Sequence, residues 1–457
     1  MCKLGAILLV RSQVFLLLQK ALLHSPPLVA VAELLTAPYL GLPELVDTPE
    51  RFEAMLTDLS NGSGPFAVDA ERASGYRYSA RAYLIQIKRA GGGLHLIDPI
   101  PFGVNNPLFS QLNSLWSGEE VILHASTQDL PCLREIGLNP TSLFDTELAG
   151  RIAGLPRVGL GALVESLLDI GLAKEHSAQD WSIRPLPEDW LNYAALDVEL
   201  LIELRNTIED LLKEKKKDVW AAQEFSSILA APPSPKRIDP WRRTSGMHKV
   251  KKRSQLAVVK SLWEARDDLA AHLDISPGRI FSDMAISTIA LASDTAPLLT
   301  KKDLEKVLRP IGLRARWFEN TPRWLKAIAD ALALTEEQCP PSRVKSDGLP
   351  PIKLWRDRFP EKYIPLSHAR FNMSEKAAEL ELPVENLLTP EILRQICWRL
   401  PDPADVSTLL KELGARPWQI EIAAPILISA LSESEAKEVP EAADESGPQS
   451  PESGEGE

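Results

Sequence analysis

The chain has 457 residues, of which 44% are hydrophobic and 25% charged, and its formal net charge is −12. These values are typical of a globular protein with two to four domains and exclude a disordered or collagen-like chain. Four scattered cysteines have neither disulfide-framework nor zinc-site spacing, so we expect free thiols in a reducing, cytoplasmic compartment.

We expect little packed structure at the two ends of the chain. Residues 1–35 predict a poorly packed N-terminal extension, in which Arg11 and Lys20 interrupt the apolar blocks. A spanning helix needs about 20 apolar residues, so we expect no membrane partner. Residues 432–457 are rich in Glu, Ser, Pro and Gly and predict a disordered acidic tail.

Residues 36–229 predict an α/β domain with a mixed sheet. Three short strands come first, and a glycine-rich hairpin turn joins the second to the third; their sequences are "PFAVDAE", "YLIQIK" and "LHLID". Two further strands, "VILHA" and "LFDT", flank a helix, and helical periodicity dominates from Glu147 onward. A meander followed by helix-connected strands favours a mixed sheet with helices on its faces.

The rest of the chain predicts helical domains. Residues 230–245 begin with the proline-rich segment "AAPPSPKRIDP" and predict a linker. Beyond it we expect one helical domain over residues 246–325 and a second over 326–431. Residues 236–260 hold nine Lys or Arg and one Asp, which fits either a solvated linker or contact with a polyanion.

Four carboxylates and one phenol are candidates for a functional cluster. Asp69 and Glu71 lie two apart on the first strand and therefore share a face, where water, a basic side chain or a bound cation must offset their repulsion. Asp129 follows a later strand, and Asp197 lies four residues after Tyr193 on a helix. Each feature alone is weak evidence. Together they predict a cluster that needs hard divalent cations, Mg²⁺ or Mn²⁺, two of which can clamp the attacking and leaving oxygens of a phosphoryl displacement.

Other polar residues near these motifs favour structural roles. Asp145 in "LFDT" is typical of a contact to a helix N-terminus. His124 ends an apolar strand and fits a core or supporting position better than a metal ligand. Lys174 and Arg184 fit either phosphate contacts or pairing with carboxylates of the site.

The motifs as a set resemble the ribonuclease D family of DEDDy-class 3′–5′ exonucleases, of the actinobacterial type. The resemblance covers residues 46–229 closely and is carried by three stretches, "FAVDAERASGYRY", "LHASTQDLPCL" with "LFDTELAGRIAG", and "LAKEHSAQDWSIRPLPEDWLNYAALDVELL". It implies a ribonuclease H-like α/β exonuclease domain followed by all-α HRDC modules. The stretch "EHSAQ" departs from the polar or basic residues that the family often has there.

The resemblance also implies residue roles. Asp69, Glu71, Asp129 and Asp197 would bind the metal ions, with Asp69 bridging them, and Tyr193 would orient or deprotonate the attacking water. From charge, we expect Lys249, Lys251, Lys252 and Arg253 to add sequence-independent RNA affinity.

The resulting hypothesis is a metal-dependent 3′–5′ exoribonuclease that trims RNA with a free 3′ end, such as precursors of tRNA and other stable RNAs. A DNA exonuclease of the same class is the first alternative, and an RNA-binding scaffold with a vestigial nuclease is the second. The absence of polymerase or helicase motifs favours RNA, and the five intact motif residues count against a scaffold. No obligate protein partner is evident.

Overall fold

A six-stranded mixed sheet forms the centre of the α/β domain. The structure is a computed structural model that describes residues 33–173, 179–233, 235, 237–343 and 348–433. The strand order is β2-β5-β4-β3-β6-β7, with bounds β2 Leu45–Val46, β3 Ser63–Arg72, β4 Ala82–Ala90, β5 Gly93–Ile97, β6 Val121–Leu123 and β7 Leu143–Asp145. β3, β4 and β5 are antiparallel neighbours, whereas β2–β5, β3–β6 and β6–β7 are parallel pairs. The predicted meander and mixed sheet are confirmed.

Eight helices accompany this sheet in the described part of the domain. They are α1 Pro49–Asn61, α2 Pro107–Trp116, α3 Leu130–Glu135, α4 Thr146–Ile152, α5 Leu160–Leu168, α6 Glu188–Glu199, α7 Leu201–Glu214 and α8 Asp218–Ala230. The main hydrophobic core contains Val68, Ala70 and Ile85. α6 contacts β3, β4 and β5 and encloses a smaller core with Leu84 and Leu96. Alternation along β3 therefore turns Asp69 and Glu71 away from Val68 and Ala70.

A two-stranded parallel sheet lies outside the predicted pattern. β1, Glu33–Leu35, pairs with β8, Ile170–Leu172. The last three residues of the predicted extension over residues 1–35 are thus paired as a strand; residues 1–32 lie outside the described part of the chain. A strand of three residues is too short for a periodicity to reveal it.

The first helical domain has a hydrophobic core of its own. Its helices are α9 Arg253–Leu273, α10 Pro277–Ile280, α11 Asp283–Ala292, α12 Lys301–Leu308 and α13 Thr321–Leu332. Trp241 is only 2% exposed and belongs to this core, as do Trp324 and Cys339. The predicted linker over 230–245 thus includes a packed residue, and the predicted boundary at 325 falls inside α13. We propose residues 239–341 as the extent of this domain.

The second helical domain continues the core of the α/β domain. Its helices are α14 Trp355–Arg358, α15 Pro360–Glu379, α16 Val384–Leu387, α17 Pro390–Arg399, α18 Val406–Glu412 and α19 Pro417–Leu431. Trp355, Leu366 and Leu427 lie in one cluster of buried residues with Val68 of the sheet. The interface is also specific, because the rings of Trp220 and Trp418 stack with centroids 4.7 Å apart and both Trp418 Nε1 and Arg416 Nε donate to Glu224 Oε1.

The first helical domain meets the α/β domain through polar contacts. Asp274, just after α9, accepts hydrogen bonds from Ser79 N at 2.8 Å and from the Tyr83 hydroxyl at 3.2 Å. The Arg279 guanidinium lies 3.9 Å from the ring centroid of Tyr76. Tyr76 and Ser79 belong to the segment between β3 and β4, and Tyr83 lies at the start of β4, so this domain is anchored directly beyond the strand end that carries Asp69 and Glu71.

The described residues bear on two further expectations from the sequence. No helix among them combines the length and apolar character needed to cross a membrane. Three cysteines of this part of the chain, Cys132, Cys339 and Cys397, are buried free thiols. Ser432 and Glu433 are the only residues of the predicted tail that are described.

Candidate active site

The end of β3 brings two carboxylates to one face of the sheet. Asp69 is opposite Gln86 of β4, and Glu71 is opposite Leu84. Glu71 is only 9% exposed, and the sheet register shifts directly after it, between Glu71 and Arg72. Arg72 then turns toward the loop after β6, where its Nη2 donates to Gln128 Oε1 at 3.2 Å.

Asp129 is held by the turn between β6 and α3. It is the residue before α3 and is 5% exposed. The turn itself is fixed by Asp145, whose carboxylate accepts from Ala125 N at 3.2 Å, from Ser126 N at 2.8 Å and from Ser126 Oγ at 2.6 Å. Asp145 also caps α4 by accepting from two backbone amides of its first turn. The predicted contact of Asp145 with a helix N-terminus is confirmed. Its hydrogen bonds with Ala125 and Ser126 also support the turn that carries Asp129.

α6 supplies the phenol and the fourth carboxylate. Tyr193 and Asp197 lie one turn apart on it and hydrogen-bond to each other. The end of the helix is tied to β4, because Lys88 Nζ donates to the carbonyl oxygen of Glu199 and lies 3.3 Å from the Glu199 carboxylate. A lysine at the last carbonyls of a helix is favourable, and here it fixes the helix two residues beyond Asp197.

The five residues line a single cavity of about 270 Å³. Carboxylate oxygens of Asp69, Glu71 and Asp197 lie within 4.8 Å of one another. Asp129 and Tyr193 line the same cavity, and Asp129 Oδ1 is 4.0 Å from Arg72 Nε. Residues far apart in sequence thus meet where the sequence predicts a cluster.

Burial raises the pKa values of the four carboxylates, and for three of them the neighbouring negative charges add to the shift. Desolvation raises the pKa of Asp69 to about 6, with Arg72 opposing the shift. Desolvation, reinforced by the neighbouring carboxylates, raises the pKa of Glu71 to about 10. Desolvation and the charge of Asp69 raise the pKa of Asp129 to about 8 and that of Asp197 well above its usual range.

The phenol of Tyr193 is affected in the same direction. Burial raises its pKa further above 10, and the negative charges of Asp197 and Glu71 add to the shift. At neutral pH the hydroxyl is therefore a hydrogen-bond donor in this environment.

The donor set fits hard divalent cations. All the ligand atoms are carboxylate oxygens, three of them within reach of one ion, and such ligands suit Mg²⁺ and Mn²⁺. Burial, and for Glu71 and Asp129 also the neighbouring negative charges, disfavours the ionised carboxylates and raises their pKa values. A cation bound there would stabilise the ionised carboxylates that the fold brings together.

The same shifts predict that metal-free protein loses stability as pH rises. A carboxyl group whose pKa is higher in the folded than in the unfolded protein stabilises the fold while it is protonated. This contribution is complete below the unfolded pKa near 4 and is lost as the pH rises through the pKa of the folded protein. Those values are about 6 for Asp69, 8 for Asp129 and 10 for Glu71. We expect the melting temperature in EDTA to fall between pH 5 and pH 9.

Mg²⁺ or Mn²⁺ should flatten this dependence, because the bound cation replaces the protons. The variant Asp129→Asn should show a weaker decline in EDTA, since one titrating group is gone. A melting temperature in EDTA that is constant or rises over this range would contradict the prediction.

Three nearby residues have other roles. His124 Nδ1 lies 2.9 Å from Thr146 Oγ1, and its ring lines the cavity without joining the oxygen cluster. Arg184 binds Asp98 through both carboxylate oxygens, at 2.6 and 2.8 Å. Asp98 is outside the cluster, so Arg184 pairs with a carboxylate other than those of the site; its suggested contact with phosphate stays a prediction. Lys174 lies outside the described residues.

Arg72 is a residue of the site that sequence reasoning missed. Among the described residues that line the cavity it is the one Lys or Arg, and it lowers the pKa of Asp69, Glu71 and Asp129. Its position immediately after the "DAE" motif is the signal that could have indicated this.

The predicted RNA-binding residues differ in their surroundings. Lys249, Lys251 and Lys252 are exposed, and Lys252 Nζ is 3.0 Å from Asp294. Arg253 is half-buried and donates to the carbonyl oxygens of Glu337, Cys339 and Pro340. Its guanidinium therefore supports the end of the first helical domain.

Comparisons with known proteins agree with this site. Residues 43–213 match the family described as 3′-5′ exonuclease, residues 255–297 match the HRDC domain, and residues 348–431 match the 3′ to 5′ exonuclease C-terminal domain. Ribonuclease D of Zymomonas mobilis is 33% identical over 286 residues, which cover 60% of this chain and 69% of that protein. The chain belongs to the ribonuclease D family. Ribonuclease D of Acidiphilium cryptum is 28% identical over 323 residues, 68% of this chain and 78% of that protein.

Solved structures confirm the predicted fold class. A protein from Bifidobacterium adolescentis matches with a TM-score of 0.77 and 37% identity over 88% of this chain and 100% of that one. Escherichia coli RNase D, described as an exoribonuclease involved in structured RNA processing, has the same fold with a TM-score of 0.59 and 20% identity over 85% of this chain and 98% of that one. The exonuclease domain is thus followed by HRDC and C-terminal helical domains.

Proposed function

We propose that this protein removes nucleotides from RNA 3′ ends by metal-dependent phosphodiester hydrolysis, and that Asp69, Glu71, Asp129 and Asp197 hold two divalent ions. The observation that carries the proposal is the convergence of these carboxylates on one cavity within the 3′-5′ exonuclease domain. Four ionised carboxylates carry a charge of −4, which two divalent cations balance.

Each residue then has a defined task. Divalent ions, when bound, would supply charge stabilisation to the attacking and leaving oxygens of the phosphoryl displacement. The four carboxylates would hold the ions in position. The Tyr193 hydroxyl orients the attacking water by a hydrogen bond. Arg72 Nε is 4.0 Å from Asp129, so the guanidinium is placed to meet a phosphate of the substrate.

RNA is the favoured substrate because relatives that match 60% and 68% of this chain carry the name ribonuclease D. Precursors of tRNA and other stable RNAs fit this class. We further propose that the chain acts in the cytoplasm and without an obligate protein partner, since one chain supplies all five residues.

The decisive test is hydrolysis of oligonucleotides with labelled 5′ ends, compared with the same oligonucleotides labelled at the 3′ end. With Mg²⁺, RNA should yield a ladder that shortens from its 3′ end, and 3′ label should be released first as a mononucleotide. EDTA should stop the reaction. Preference for DNA would favour the first alternative, and binding without hydrolysis would favour a scaffold.

The exposed lysines at the start of the first helical domain should add affinity for RNA without affecting the chemical step. Replacing Lys249, Lys251 and Lys252 by Ala should weaken RNA binding and reduce the slope of log affinity against log salt. For single strands the slope changes by about 0.7 for each phosphate that the protein no longer neutralises. We leave Arg253 unchanged because its guanidinium supports the domain.

A matched control removes the same charge elsewhere. Ala substitutions at Lys326, Lys353 and Lys411, which are exposed in the two helical domains, should alter the slope less. Equal slopes for the two triple variants would show that only the overall charge matters. Single-turnover cleavage at saturating RNA should match that of the wild type.

A further inference from the structure

Gln86 in the middle of β4 is a buried polar residue with no partner. It is 0% exposed, and neither its Oε1 nor its Nε2 has a hydrogen-bond partner among the described residues. Buried amides are nearly always hydrogen-bonded, because leaving one unpaired costs free energy. An unpaired amide in the centre of a sheet therefore requires an explanation.

Its place in the sheet gives that explanation. Gln86 is opposite Asp69 in the antiparallel pair of β3 and β4. Directly opposite residues share a face, with Cβ atoms about 4.5–5.5 Å apart. The neighbouring positions on this face of β4 are Leu84, opposite Glu71, and Lys88, which holds the end of α6. Gln86 thus lies between the oxygen cluster and the anchor of the helix that carries Asp197.

We propose that Gln86 is a positioning residue for the metal site, whose side-chain amide donates a hydrogen bond to the Asp69 carboxylate. A carboxylate that binds a cation through one lone pair retains others that a neighbouring donor can fix. Directly opposite positions place the Asp69 carboxylate within reach of a glutamine side chain, so the hydrogen bond can form when a bound cation orients that carboxylate. The inference rests on the proposed metal-dependent function.

A neutral amide suits position 86 better than a charged side chain does. A glutamate at position 86 would add a fifth negative charge to a cluster that already lacks positive charge. A lysine would compete with the cations. A neutral donor orients the carboxylate and leaves its charge available to the metal.

The test replaces the amide by a side chain of similar length without donors. Gln86→Met should bind Mn²⁺ about 10–100-fold more weakly than the wild type, the range typical of groups that orient metal ligands. Its melting temperature in EDTA should be unchanged or higher, because an unpaired buried amide is removed. Leu84→Met is the matched control on the same face of the same strand and should keep wild-type affinity. Titration by electron paramagnetic resonance measures affinity independently of activity.

The possible outcomes separate failure of the positioning role of Gln86 from failure of the proposed function. Wild-type Mn²⁺ affinity in Gln86→Met overturns the positioning role alone, whereas a wild-type protein that binds no Mn²⁺ refutes the proposed function. A lower melting temperature in EDTA for Gln86→Met would show that the amide supports the fold and would also overturn the inference. If Gln86→Met does not fold, Gln86→Leu takes its place; failure of both to fold likewise assigns Gln86 a structural role.

Discussion

Replacing Asp197 by Asn is expected to cost about 10³-fold or more in turnover. The carboxylate lies within 4.8 Å of those of Asp69 and Glu71, so in the proposed arrangement its charge would help to hold the cations. Metal ions stabilise such transition states by several kcal/mol, and each 1.36 kcal/mol is a factor of about ten in rate. Metal affinity and activity should fall together, and extra Mg²⁺ should restore activity at most in part.

Unfolding must be separated from loss of the metal site. Asn has the shape of Asp and relieves repulsion in the cluster, so Asp197→Asn should be at least as stable as the wild type in EDTA. Asp189→Asn is a control on the same helix, at an exposed position of its first turn, and should retain activity. Full activity in Asp197→Asn, or wild-type Mn²⁺ affinity, would exclude Asp197 as a ligand.

Tyr193→Phe is expected to lower turnover by about 10²–10⁴-fold, the usual contribution of a positioned proton donor or acceptor. The substitution keeps the aromatic ring on α6 and removes only the hydroxyl. Binding of RNA and of metal should persist, because Tyr193 contacts neither in the proposed arrangement. Turnover close to that of the wild type would remove the phenol from the mechanism.

The pH dependence of Tyr193→Phe distinguishes two roles of the hydroxyl. If Tyr193 takes the proton from water, an ionisation on the alkaline side of the wild-type profile should vanish in the variant. If it orients the water, the variant should show the same profile at a lower rate. Burial and the neighbouring carboxylates raise the pKa of Tyr193, which favours the second result.

The parts of the site that follow local rules could be predicted from the sequence. Alternation along β3 places Asp69 beside Glu71, and helical spacing places Tyr193 beside Asp197. The capping role of Asp145 follows from its position before a helix, whereas its bonds to Ser126 depend on how β6 and β7 pair.

Features of the site that depend on contacts between distant segments could not be predicted from the sequence. Arg184 pairs with Asp98, 86 positions away, and no local pattern relates the two. Gln86 appears in the sequence as an ordinary polar residue of a strand, and only burial combined with register reveals its proximity to Asp69. The common core of the sheet and the last helices likewise depends on contacts between distant segments.

That common core has a consequence for synthesis of the protein. Residues 348–431 complete a hydrophobic interior begun by residues 46–229, and the HRDC region separates the two in the chain. About 200 residues must leave the ribosome after α8 before the last helices are present, which takes about 10–40 s at 5–20 residues per second. During that interval the nascent exonuclease domain exposes the apolar surface that α15 and α19 will cover, so its folding can finish only after translation has passed the HRDC domain.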